Sequence, residues 1–170
     1  MVDELARRRG VRLEATECNA AVGRRAGEGL VVAQPHTWMN RSGFAARCLV
    51  ERYGFELEDL LVVYDEVALP LGRLRLRPGG SPAGHRGLES VIAELRSDRV
   101  PRLRLGIAPA EPPADLVGFV LAPFAAGELE AAEDMVRRAA DACEAWLDEG
   151  VEAAMQRFNV QHSDLDNTGA

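Results

Sequence analysis

A chain of 170 residues, 47% hydrophobic and 28% charged, is sized for one domain with a core of useful size. No apolar run approaches the roughly 20 residues of a membrane helix, the acidic start Met1-Val2-Asp3-Glu4-Leu5 holds no apolar signal core, and a formal charge of −7 by itself speaks against nucleic acid as a partner. The cysteines, Cys18, Cys48 and Cys143, are too widely spaced for a disulfide framework or a zinc site and point to a reducing cytoplasm.

Val2 to Arg9 reads as a short helix with Gly10 as its C-cap. Ala20 to Arg25 and Leu30 to Gln34 read as strands of a hairpin across Gly27-Glu28-Gly29, and Pro35 ends the second. Ser42 is placed to cap a helix over Gly43 to Tyr53. Leu60 to Tyr64 is a continuous apolar run, the pattern of a buried parallel strand. Leu71 to Arg77 alternates, with Leu74 and Leu76 between Arg73, Arg75 and Arg77, so one face packs and the other is cationic. Pro78 to Gly84 is a breaker-rich loop, Gly87 to Leu95 a helix and Leu103 to Ile107 a strand. Ala108 to Ala114 holds three prolines and reads as a loop, followed by the apolar segment Val117 to Leu121. Glu128 to Leu147 carries the longest helical stripe, through Leu129, Ala132, Val136, Ala139, Cys143 and Trp146. Gly150 breaks it, and a last helix reaches about Phe158. The pattern predicts a single three-layer α/β domain over residues 1–160, with a mixed, mostly parallel sheet flanked by helices and a strand–helix–strand crossover around the Gly43 helix. Residues 161–170 are predicted as a disordered polar tail.

Charge is unevenly spread. Between Arg73 and Arg104 stand eight arginines and three acids, a net of +5 that leaves −12 for the rest of the chain. This is either a solvated strand face beside a salt-bridged helix or a positive surface for phosphate backbones. All 20 basic residues are arginine, which suits bidentate phosphate contacts.

Three runs place polar groups at the ends of apolar stretches, where open α/β sheets hold ligands: Thr37 to Gly43, Tyr64-Asp65-Glu66 and Gly84-His85-Arg86-Gly87. Asp65 follows the apolar run directly, placed either to orient an imidazole or metal or to close the strand with an Asx-turn. Glu66 reads as a surface residue. His85 stands at a loop–helix junction, as a ligand group or a helix cap, and Arg86 beside it would reinforce anion binding there. Asn40 is either a two-way hydrogen-bonding group or a turn residue. Trp38 and Met39 are either core or an apolar wall for a ring. His36 reads as an exposed loop residue, and His162 lies in the tail.

On these residues the chain resembles the bacterial peptidyl-tRNA hydrolases. The matching stretches are Gln34-Pro35-x-Thr37-Trp38-Met39-Asn40-x-Ser42-Gly43, Tyr64-Asp65-Glu66-x-x-Leu69-Pro70, Gly84-His85-x-Gly87-Leu88, Arg102 to Ile107 and Val117 to Leu121. The resemblance implies a monomeric, phosphorylase/hydrolase-like α/β fold without metal or cofactor. It implies hydrolysis of the ester joining a peptide to the 3′ ribose of tRNA, with peptidyl-tRNA as partner. A family histidine is the general base, and Asp65 matches the aspartate that orients it. Trp38, Met39 and Asn40 would meet the substrate end of the tRNA, His85 and Arg86 would lie near it, and Arg77 and Arg104 would meet phosphate. Where the family reads His-Asn-Gly, this chain has His85-Arg86-Gly87. The family's opening strand and its histidine-bearing run have no match, so the chain is expected to be N-terminally incomplete and to turn over little substrate. The rival expectations are a non-catalytic RNA-binding relative and a metal-dependent hydrolase using Asp65, Glu66 and His85.

Overall fold

The computed structural model describes residues 1–25, 27–109, 111 and 113–159. The chain divides into two compact units, one of Met1–Val62 with Pro78–Arg102, the other of Val63–Arg77 with the chain from Leu103 onward.

The first unit begins with helix α1 (Val2–Arg8), which Gly10 terminates at φ +61°, a left-handed conformation that costs glycine little. Strands β1 (Ala15–Glu17), β2 (Ala20–Arg25) and β3 (Leu30–Pro35) follow, antiparallel and in the order β1-β2-β3. Cys18 and Asn19 form the two-residue turn between β1 and β2, both in the left-handed region at φ +53° and +57°, as a type I′ hairpin turn requires. Alternate residues of β3 then bury on opposite faces. Val32 joins Ala6 of α1 and Val11, whereas Val31 and Ala33 pack with Ala20, Val22 and Leu49. Leu49 belongs to α2 (Ser42–Tyr53), so this unit is a three-layer sandwich of helix, sheet and helix. Helix α3 (Arg86–Leu95) crosses α2 at Gly43, where a Cβ would overlap the Ser90 carbonyl and where the Gly43 amide donates to Ser90 Oγ at 3.0 Å.

The second sheet contains β4 (Val62–Pro70), β5 (Leu74–Arg77) and β6 (Arg102–Ala108) in the order β4-β6-β5. Helices α4 (Leu116–Leu121), α5 (Leu129–Glu149) and α6 (Val151–Phe158) complete the second unit. Five alanines of α5 are buried with Met135 and Cys143. At the edge of β5 the Asn159 amide acts as a substitute strand, accepting from Leu76 N at 2.7 Å and donating to Leu76 O at 3.1 Å.

Several expectations are corrected here. The strands form two three-stranded sheets rather than one mostly parallel sheet, and the first is wholly antiparallel. Short loops between β1, β2 and β3 leave no room for a parallel crossover. The expected crossover fails for the same reason, since β3 and β4 lie in different sheets. Strand β1 escaped notice because Ala15-Thr16-Glu17 is too short to show a period. Ser42 does not cap α2; it is the first helical residue, and its hydroxyl donates to Met39 O at 2.9 Å. The expectation against a disulfide is overturned as well. Cys18 and Cys48 are disulfide-bonded, with Cα atoms 5.6 Å apart, because the hairpin turn brings Cys18 to α2 across 30 residues of sequence. Cys143 is free and buried. The expected 108–114 loop falls partly on Ala110 and Pro112, and the expected tail and His162 fall wholly, outside the described residues. Among the described residues no helix is long and apolar enough to cross a membrane.

Candidate functional site

In the first unit the chain leaves β3 at Pro35 and makes a single 3-10 turn, Met39–Arg41, before α2 begins. Trp38, at 81% exposure, and Met39, at 53%, are not core but an apolar wall open to solvent. Asn40 is exposed in the 3-10 turn and caps nothing, since the α2 N-cap is Arg41. Beside this wall lies the start of α3. A Cβ on Gly87 would stand 2.5 Å from Met39 Sδ and 3.0 Å from His85 Cε1, so the absence of a side chain there lets Met39 and His85 converge. Thr37 Oγ1 is buried with no hydrogen-bond partner among the described residues, a local cost of about 1–3 kcal/mol.

His85 is the N-cap of α3, its Nδ1 accepting the Leu88 amide at 3.1 Å. The acceptor role of Nδ1 assigns the proton of the neutral ring to Nε2. In that tautomer Nε2 carries the ring's N–H. Arg86 is exposed in the first turn. The loop that delivers His85 is held by Arg102, 2% exposed, whose guanidinium donates to Val100 O at 3.1 Å, Ser81 O at 3.2 Å and Asp98 O at 2.9 Å.

In the second unit Asp65 lies in the middle of β4, which runs on to Pro70, rather than at the strand's carboxyl end. Of the two readings of Asp65, the Asx-turn that closes the strand therefore fails. Asp65 is half-buried, and among the described residues its carboxylate has no hydrogen-bonding or ionic partner. Glu66 is not a surface residue. It is 7% exposed and accepts from Arg104 Nε at 2.9 Å and Nη2 at 2.7 Å and from Ala68 N at 3.0 Å. Arg104 is thus already committed in part to a carboxylate. Arg73, Arg75 and Arg77 stand half-buried with no ion-pair partner among the described residues. The guanidinium of Arg77, burial, and then Arg104 and Arg73 press the Arg75 pKa down, the mark of a crowded cationic face with no anion on it. Arg73 and Arg75 were not singled out from sequence as ligand residues, although their strict alternation with buried leucines was the available signal.

Among the described residues no group of three or more His, Cys, Asp or Glu side chains converges as a metal site requires. The family model "Peptidyl-tRNA hydrolase" matches residues 1–166. The chain belongs to the peptidyl-tRNA hydrolase family. It is 38% identical to a peptidyl-tRNA hydrolase of Solibacter usitatus over 100% of this chain and 88% of that protein. It is 45% identical to one of Synechococcus over 79% of this chain and 62% of that protein. Among solved structures, peptidyl-tRNA hydrolase from Acinetobacter baumannii superimposes with a TM-score of 0.82 at 28% identity, covering 94% of this chain and 82% of that one. By peptidyl-tRNA hydrolase membership the protein is an enzyme of the hydrolase class. The family match starts at residue 1 and lends no support to the expectation of a missing head.

Proposed function

We propose that the protein hydrolyses the ester between a peptide, or an N-blocked amino acid, and the 3′ ribose of tRNA, as a cytoplasmic monomer without metal or cofactor. The observation that carries this reading is the family match over residues 1–166. The two halves of the substrate have chemically suited counterparts. The exposed Trp38–Met39 wall beside Asn40 suits the ring and polar edges at the tRNA 3′ end. The arginine face at Arg75 and Arg77, with the remaining donors of Arg104, suits phosphate. His85, as an Nε2 donor, and Arg86 suit the acyl end. In the reaction a base takes a proton from water, the hydroxide adds to the ester carbonyl, and the ribose hydroxyl leaves as the carboxylate forms. Asp65, half-buried in β4 and without a hydrogen-bonding or ionic partner among the described residues, is suited to hold an imidazole in its working tautomer.

The imidazole itself is the weak point. His85 spends Nδ1 on the Leu88 amide, His36 is exposed, and His162 lies outside the described residues. We infer that the 170-residue chain binds tRNA but turns over substrate slowly. The RNA-binding rival draws on the same commitment of His85. The metal-dependent rival is disfavoured by the Glu66–Arg104 pair, which occupies the carboxylate it would need.

An assay with N-acetylated aminoacyl-tRNA tests both parts. The expected result is salt-sensitive tRNA binding with slow release of the N-acetyl amino acid. Fast release would overturn the inference of slow turnover and place a working base within this chain. Neither binding nor release would overturn the whole reading.

A further inference from the structure

Cys18 and Cys48 form a disulfide in a part of the chain that the proposed chemistry does not use. Its placement is specific. Cys18 is the first central residue of the type I′ turn, at φ +53°, a conformation in which asparagine and glycine are at ease and cysteine is uncommon. The turn is docked on α2 by other contacts as well. Glu17 Oε2 accepts from Arg52 Nε at 2.6 Å and from the Tyr53 hydroxyl at 2.7 Å. The turn and helix therefore have contacts that hold them together without the covalent bond, and two thiols at 18 and 48 would remain neighbours. Both residues are half-buried rather than sealed in the core, so a small thiol or disulfide can reach them.

The bridge encloses the segment that carries the apolar wall. Asn19 O, next to Cys18, accepts the His36 amide at 2.8 Å, two residues before Trp38. Cys48 lies in α2, whose first residue Ser42 follows the 3-10 turn directly and holds Met39 O. Both ends of residues 37–41 are thus anchored to structures that the disulfide ties together.

We propose that Cys18 and Cys48 are a reversible dithiol–disulfide site whose oxidation orders the Trp38–Met39–Asn40 segment. The oxidant is a low-molecular-weight disulfide. One cysteine thiolate attacks its sulfur, forms a mixed disulfide and releases one thiol; the second cysteine thiolate displaces the other. Two electrons pass to the small disulfide, the two cysteine protons end on the two thiols it releases, and an excess of the same thiol reverses the step. The link from this order to tRNA rests on the function proposed above; the redox step and the ordering do not.

The test equilibrates the whole protein in glutathione buffers of graded ratio and reads three quantities in parallel. Alkylation followed by intact mass counts accessible thiols, with two expected in the reduced state, none in the oxidised state, and buried Cys143 unlabelled in both. Hydrogen exchange across His36–Arg41 is expected to quicken about tenfold on reduction, with α5 unchanged. Binding of uncharged tRNA is expected to weaken severalfold in step with that exchange. Cys18→Asn, which suits the left-handed turn, and Cys48→Ala are each expected to exchange at the reduced rate in every buffer. A chain that never forms the bridge, or one whose exchange over His36–Arg41 ignores it, overturns the proposal. Failure to bind tRNA in either state overturns the functional reading instead, while the exchange result still decides the redox proposal.

Discussion

Gly87 illustrates how a single missing side chain shapes a site. Its neighbours are the flexible thioether end of Met39 and the His85 ring, so Gly87→Ala displaces Met39 rather than the backbone. The helix gains intrinsic propensity of up to about 1 kcal/mol, which offsets most of the crowding. The expected outcome is thermal stability within about 1 kcal/mol of the parent and a severalfold loss of affinity for the tRNA 3′ end, read by calorimetry and by binding of a short CCA-ended RNA. Unchanged affinity would mean that Met39 does not touch the substrate. At this scale the sequence was informative about which residues gather and poor about what each is doing. Trp38, Met39, His85 and Gly87 were recognisable as a motif and the cap was one of the two readings of His85, a local contact three residues long, whereas the role of Glu66 as a buried partner of Arg104 depends on a distance across the fold. Arg104 was expected to meet phosphate from the family resemblance; its carboxylate partner lies 38 residues away.

Elements here are held by a few side chains that reach backbone. The stretch from Gly79 to His85 has no regular structure of its own, yet it is fixed on one side by the Gly80 amide bond to Asp98 O and on the other by Arg102. Arg102→Met keeps the apolar stem but removes the guanidinium donor from the carbonyls of Ser81 and Val100 and leaves Asp98 O with the Gly80 amide. The expected loss is about 3 kcal/mol, or about 6–12 °C in Tm, in thermal unfolding. Arg102 lay inside a basic run and read as surface charge, because the acceptors it serves are main-chain oxygens that no residue pattern announces. Helices fared better. Apolar periodicity located α2, α3, α5 and α6 to within a residue or two, since each buries one stripe. Strand limits were harder, and β4 runs six residues past Tyr64 because polar Asp65 and Glu66 interrupt its apolar pattern without interrupting its pairing.

For the molecule as a whole, 27 acids against 20 arginines give the −7 charge, and several of those acids are paired with arginine. Hydrogen bonds from Arg7 and Arg8 hold the Glu4 pKa down at about 2. The Tyr53 hydroxyl, then Arg52, lowers that of Glu17, and Arg138 lowers that of Asp134. A carboxylate whose folded pKa lies below its unfolded value stabilises the fold above the unfolded value and loses that contribution as pH falls through the folded one. For Glu4 the window runs from 4.5 down to about 2. Thermal unfolding scanned with pH is expected to show Tm falling steadily across that window. A flat profile there would mean that these pairs do not discriminate folded from unfolded chain. How strands join into sheets was the least readable property, because alternation marks a strand's faces and says nothing of its neighbour; only the short β1–β2–β3 loops carried that information. The clasp of Asn159 on Leu76 has a meaning beyond the single chain. An edge strand with open N–H and C=O groups is a template on which another molecule can lay a strand of its own, and one amide side chain occupies both groups of Leu76. The residue that closes α6 therefore occupies, at Leu76, the two main-chain groups that a strand from a second molecule would need at this position of the edge.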